Sequence, residues 1–123
     1  MTQVDIRELL RAELARRGYD IGGDTAGLRG ELYIRGAGDV ASALFEFKSD
    51  AEEACRTMYQ GSWLPSMPPR FAVLPAQEKG EPGVELLAQC GLRVLFYQVE
   101  DGCVAFEELD AALAEVDAWS AGR

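Results

Sequence analysis

The stretch Ala43-Leu44-Phe45-Glu46-Phe47-Lys48 constrains this chain most, because it combines an aromatic strand with two opposite charges. Side chains alternate along a β-strand, so Phe45 and Phe47 share one face and Glu46 and Lys48 share the other. The aromatic face can be buried in a core. The charged face must either lie in water or form a functional site.

A second short strand, Glu31-Leu32-Tyr33-Ile34-Arg35, precedes this one across a turn-rich segment. If the two strands form a hairpin, one allowed register pairs Arg35 with Ser42 and therefore Glu31 with Glu46 on the charged face. The apolar residues of the first strand then join the aromatic face. Because like charges directly opposite each other are destabilising, this register predicts a divalent cation between the two carboxylates.

Composition limits the classes of protein that remain. A chain of 123 residues fits one compact domain, 1–123. None of its apolar runs is long enough to cross a membrane, and its N-terminus is polar. We therefore expect no signal peptide and no membrane partner. Three cysteines without CxxC spacing predict free thiols in a reducing, cytoplasmic compartment. The absence of histidine excludes histidine triads and histidine-ligated metals.

Hydrophobic periodicity and turn residues predict the order helix, strand, strand, helix, strand, helix, strand, helix. The helices are predicted at 4–17, 49–60, 82–91 and 106–119, and the strands at 31–35, 43–48, 71–74 and 92–99. Ser49 and Glu52 are predicted to form the capping box of the second helix. The order favours an α/β sandwich around a mixed sheet of about four strands, in which an antiparallel hairpin feeds a parallel half.

This order, with an acid on the first hairpin strand and E-x-K on the second, resembles the PD-(D/E)XK (restriction-endonuclease-like) nuclease superfamily. The residues that carry the resemblance are Arg29-Gly30-Glu31, Glu46-Phe47-Lys48 and Met58-Tyr59-Gln60. It covers a core of about residues 5–75, to which a strand and helices at 80–120 are added. The resemblance implies an α/β/α sandwich and Mg²⁺- or Mn²⁺-dependent hydrolysis of DNA.

The resemblance also implies roles for individual residues. Glu31 and Glu46 would hold the metal ion, and Lys48 would position or polarise the attacking water. Gln60 on the following helix and Glu13 on the first helix would assist, although Glu13 also fits a solvated flank of its helix.

One departure concerns the first acid, because the family usually has aspartate where this chain has Glu31. The longer side chain can still reach a metal ion, or it marks a degenerate site. Asp24 and Asp39 are the alternative second ligands.

Lysine usage strengthens the case for Lys48. The chain has only two lysines, Lys48 and Lys79, against ten arginines. One of the two ends the central apolar strand, where arginine would not replace a compact, deprotonatable amine. The competing interpretation is a solvated hairpin face with an ordinary ion pair.

Net charge keeps other functions open. A formal charge of -9 opposes binding to DNA unless metal ions compensate for it locally. A chain this small offers limited surface for binding a duplex, which favours a homodimer. One alternative is a non-catalytic binding or regulatory module with a vestigial site, which an exposed apolar patch at Trp63, Leu64 and Met67 would support. The other is an acidic decoy that mimics nucleic acid.

Overall fold

The computed structural model describes residues 5–22, 31–36, 41–58 and 67–122, except for the side chain of Glu31. Within these ranges the chain is a mixed α/β protein with four α-helices and one six-stranded sheet. The helices are α1 (Ile6–Arg16), α2 (Ala51–Met58), α3 (Pro82–Gln89) and α4 (Leu109–Ala121). The strands are β1 (Ile21–Gly22), β2 (Glu31–Arg35), β3 (Ala41–Phe47), β4 (Arg70–Pro75), β5 (Arg93–Glu100) and β6 (Cys103–Phe106).

The strands lie in sequence order across the sheet. Strands β1, β2 and β3 pair antiparallel, β3, β4 and β5 pair parallel, and β6 returns antiparallel to β5. The predicted antiparallel hairpin, followed by parallel strands in the same sheet, is therefore confirmed. The sheet is larger than predicted because β1 and β6 add a strand at each edge.

Strand β6 also corrects the last predicted helix. Asp101 and Gly102 both have positive φ and join β5 to β6 in a two-residue turn, a conformation that Asp-Gly adopts readily. Residue 106 therefore ends a strand, and α4 begins at Leu109. The prediction of a helix from residue 106 was wrong.

The register of the β2–β3 hairpin confirms the predicted pairing of Glu31 with Glu46. The far end differs, because Arg35 pairs with Ala41 and the register shifts between Ile34 and Arg35. Such a bulge places an extra residue in one strand. Here the extra residue is Ser42, whose hydroxyl donates to the Ile34 carbonyl at 3.3 Å, so the predicted pairing of Arg35 with Ser42 was wrong.

Two apolar cores lie on the two faces of the sheet. Phe45 and Phe71 stack with ring centroids 5.0 Å apart on one face, together with buried leucines of α1 and α4. On the other face, Ala72 and Leu74 of β4 pack with buried residues of α2 and α3. Strand β4 is thus buried on both faces, as its continuous apolar run predicts.

The start of α2 differs from the predicted capping box by one residue. The Asp50 carboxylate accepts from the Glu53 backbone N–H at 2.7 Å, and the Glu53 carboxylate accepts from the Ser49 N–H at 2.9 Å. The predicted pair Ser49 and Glu52 was therefore wrong. Asp50 caps the helix, and because α2 follows β3 after a short turn, strand and helix are coupled near Lys48.

No helix in the described part of the chain is long and apolar enough to cross a membrane.

Candidate functional site

Glu46 of β3 and Lys48, the residue directly after this strand, lie together, as their spacing of two predicts. The Lys48 Nζ is 3.7 Å from the Glu46 Oε1, and the two side chains are 16 % and 8 % exposed. Phe45, between Leu44 and Glu46 in the strand, is fully buried in the opposite core. A carboxylate that is withdrawn from water in this way needs cationic or hydrogen-bonding partners.

Glu31 begins β2 directly across from Glu46. Opposite residues of an antiparallel pair have their Cβ atoms about 4.5–5.5 Å apart and on one face of the sheet. The backbone therefore brings Glu31 and Glu46 to neighbouring positions at one end of the hairpin. The orientation of the Glu31 carboxylate lies outside the described residues.

Arg70 is a partner of Glu46 that sequence reasoning missed. Its Nε donates to the Glu46 Oε2 and its Nη1 donates to the Met58 carbonyl at 3.2 Å. The Arg70 side chain is 9 % exposed, so the ion pair is buried. An arginine directly before the buried run of β4 was the available signal, because a charge at the start of an inner strand requires a partner.

The Glu46 carboxylate is consequently held between two cations. Oε2 bonds the Arg70 guanidinium and Oε1 faces the Lys48 amine. Ala72, the β4 neighbour of Glu46, belongs to the core with α2, so this charged cluster lies on the α2 side of the sheet.

Glu13 occupies a different environment on α1. Its carboxylate accepts from Arg17 Nε at 2.7 Å and also from Arg16, and these hydrogen bonds lower the pKa of Glu13 below its ordinary value. The buried leucines of α1 belong to the core on the Phe45 side of the sheet. Among the described contacts none joins Glu13 to Glu46 or Lys48, so its assisting role stays a prediction.

The remaining candidates lie beyond the described residues. Gln60, Asp24 and Asp39 fall outside them, as do Trp63 and Leu64 of the proposed apolar patch. Met67, the third residue of that patch, is 36 % exposed.

A cleft of about 470 Å³ opens beside Lys48. The end of β3 and residues within β4 and β5 line it on one side, and Asp5 and Arg7 at the start of α1 line it on the other. In open α/β sheets ligands commonly bind at the carboxyl ends of parallel strands. Phe47, Val73 and Tyr97 place this cleft on the Phe45 side of the sheet, whereas Glu46 lies on the α2 side. Among the described residues Lys48, which follows β3, belongs both to the charged cluster and to the lining of a cavity large enough for a nucleotide-sized group.

The described residues contain no group of three or more Cys, Asp or Glu side chains close enough to hold a metal ion. The Glu31 carboxylate lies outside the described residues and is not included in this statement.

No protein-family model, no curated protein and no solved structure matches this chain.

Proposed function

We propose that this chain is a small Mg²⁺-dependent nuclease that hydrolyses DNA phosphodiester bonds on a PD-(D/E)XK-like domain. The observation that supports it most is the pairing of Glu31 with Glu46, next to a Lys48 amine 3.7 Å from the Glu46 carboxylate. Apart from the added two-residue strand β1, the elements from α1 to β4 follow the order on which the resemblance rests. A chance ion pair on a hairpin would not need the opposed acid.

Glu31 and Glu46 are the residues that would hold a Mg²⁺ or Mn²⁺ ion. Hard divalent cations prefer carboxylate oxygens, and Mg²⁺ commonly takes one or two carboxylates because it keeps several waters. When bound, the ion supplies an acidified water and offsets negative charge on the phosphate oxygens.

Lys48 would act on the attacking water or on a phosphate oxygen. Its ammonium group has three rotatable donors, and the residue lines the cleft while its amine stays near Glu46. Gln60 follows Met58, the last residue of α2, by two positions in the sequence, and its assisting role rests on the resemblance alone.

The net charge of -9 requires that DNA approach through a restricted surface. Arg7 and Lys48 at the cleft supply positive charge there, and a bound divalent ion would add more. A homodimer would double the positive surface available to a duplex.

A second candidate is a non-catalytic binding or regulatory module with a degenerate site. The buried ion pair of Arg70 with Glu46 favours it, because a carboxylate already neutralised by two cations needs no metal ion. In this case the charged cluster is a structural feature of the fold.

Plasmid cleavage separates the two candidates. Wild type should cut plasmid in Mg²⁺ or Mn²⁺ but not with chelator, and Lys48→Ala should lower the rate at least about 100-fold. Lys79→Ala is the matched control, because this second lysine pairs with Glu107 at the surface. If folded wild type cuts neither plasmid nor single strands, and metal ions leave its melting temperature unchanged, the module replaces the nuclease.

A further inference from the structure

Arg70 lies beside the Glu46 carboxylate because of the way β3 and β4 pair. It is the first residue of β4, and its Cα pairs with Leu44, two residues before Glu46 in β3. The two side chains are therefore diagonal neighbours on the same face of a parallel strand pair. This position brings the guanidinium to the carboxylate without distortion of either strand.

The guanidinium is also anchored away from Glu46. Its Nη1 donates to the Met58 carbonyl at 3.2 Å, at the C-terminal residue of α2. The last carbonyls of a helix have no intrahelical partner and attract cations. Arg70 thus bridges the carboxylate of β3 and the end of α2 through two different nitrogens of one planar group.

A metal ion at Glu46 would meet both positive charges at short range. The side chains of Glu46 and Arg70 are 8 % and 9 % exposed, so water screens their interaction poorly. The other carboxylate oxygen faces the Lys48 amine at 3.7 Å. A divalent cation that binds the Glu46 carboxylate is therefore repelled by the Arg70 guanidinium, which already donates a hydrogen bond to that carboxylate.

We propose that Arg70 competes with a divalent cation for the Glu46 carboxylate and so sets the metal affinity of this site. The proposal rests on the proposed metal-dependent function. In the metal-free protein Arg70 serves as the counter-ion of Glu46. When a metal ion binds, the guanidinium releases the carboxylate and keeps its hold on the end of α2.

Calorimetric titration with MnCl₂ tests this competition without any cleavage assay. Arg70→Gln should bind Mn²⁺ at least about tenfold more tightly than wild type, because the substitution removes a buried positive charge beside the ligand. Arg56→Gln is the matched control, since this arginine lies on the surface of α2 and pairs with Glu52. Glu46→Gln measures the background from Mn²⁺ at other surface acids.

The outcomes separate this inference from the proposed function. If Arg70→Gln is folded and binds Mn²⁺ no more tightly than a metal-binding wild type, the competition is wrong and the nuclease survives. If only Arg70→Gln binds Mn²⁺, the competition is supported and the native chain is not a metal-dependent nuclease. If neither binds, both proposals are overturned.

Arg70→Lys keeps the test decisive if the glutamine variant does not fold. Lysine retains the charge but lacks the planar fork that reaches Glu46 and Met58 together. The affinity of the Arg70→Lys variant for Mn²⁺ should lie between that of wild type and that of Arg70→Gln. A folded lysine variant with wild-type or lower affinity would overturn the competition.

Discussion

Glu46 is a charged residue in a position that usually takes an apolar one. It is 6 % exposed in an inner strand of the sheet, where an unpaired carboxylate would be very costly. Arg70 and Lys48 lower the free-energy cost of burying this carboxylate, because one cation lies at each of its oxygens. The same arrangement holds the carboxylate in a defined orientation, which is what a ligand or catalytic group also needs.

Removal of the Glu46 carboxylate should destabilise the protein strongly. Glu46→Ala leaves Arg70 buried beside a cavity, and loss of one partner of a buried ion pair costs roughly 3–5 kcal/mol. Urea unfolding measures this change. Glu52→Ala, which removes an exposed partner of Arg56, should leave the free energy of unfolding nearly unchanged. Equal effects of the two substitutions would contradict the burial of the Glu46 pair.

Glu13 should contribute a pH-dependent part of the stability. Hydrogen bonds from Arg16 and Arg17 lower its pKa in the folded state. A lowered folded-state pKa stabilises the protein above the ordinary pKa of 4.5, and this stability is lost as pH falls through the folded-state value. Glu13→Gln should therefore flatten the loss of stability at acid pH.

The measurement is the midpoint of urea unfolding at neutral pH and at several values below 4.5. Arg17→Gln should flatten the same part of the curve, because it removes one of the two donors. A Glu13→Gln profile parallel to that of wild type would contradict the ion-pair assignment.

At the level of single elements, α2 is connected to the charged cluster of Glu46, Lys48 and Arg70 at both of its ends. Its N-terminus follows β3 closely, and its C-terminal carbonyl at Met58 accepts from Arg70. The helix therefore has one end at Lys48 and the other held by the partner of Glu46. Displacement of α2 should disturb both contacts.

The cap of α2 can be tested by a pair of substitutions. Asp50→Ala removes the acceptor of the Glu53 N–H and should lower the free energy of unfolding by about 1 kcal/mol. Ser49→Ala should have little effect, because Ser49 contributes its backbone N–H to the cap. Thermal unfolding measures both, and a larger loss in Ser49→Ala would restore the capping box that the sequence suggested.

Several elements could be predicted from local pattern, and others could not. The alternation in β3 gave the two faces and excluded a slip by one residue, which would expose the aromatic face. It left registers two residues apart open, and the pairing of Glu31 with Glu46 was one of those allowed. The bulge beside Arg35 depends on tertiary contacts, which no periodicity records. Strand β6 had a local signal, since Asp101-Gly102 is a favoured hairpin turn, but the adjoining helical spacing of leucines obscured it.

The partnership of Arg70 with Glu46 was beyond sequence reasoning for a different reason. The two residues are 24 positions apart and meet only because β3 and β4 pair in one particular parallel register. Hydrophobic pattern predicts that both strands are buried and leaves their relative register open.

For the whole molecule, the net charge opposes DNA binding and the fold favours a ligand site. The acidic surface repels nucleic acid, whereas the cleft beside Lys48 lies where α/β sheets bind ligands. A nuclease of this composition must bind DNA through local positive charge. The cations that line the cleft are Arg7 in α1 and Lys48 after β3, and the Asp5 carboxylate lies in the same lining.

Binding of DNA should consequently depend on divalent cations. With chelator, a short duplex should show no measurable binding at physiological salt, and Ca²⁺ should restore binding without cleavage. Fluorescence anisotropy measures this, with Glu46→Gln as the variant that Ca²⁺ should not rescue. Binding that is equally strong with chelator and with Ca²⁺ would contradict a metal-centred interface.

The proposed function requires that Glu31, Glu46 and Lys48 converge on one cation site. Anomalous diffraction from crystals soaked in Mn²⁺ tests it most directly, because the signal locates the ion independently of any assay. We predict one peak bound by the carboxylates of Glu31 and Glu46, with the Lys48 amine beside it. A Glu31 side chain turned away from Glu46, with no peak and Arg70 still bonded to Glu46, would contradict the account.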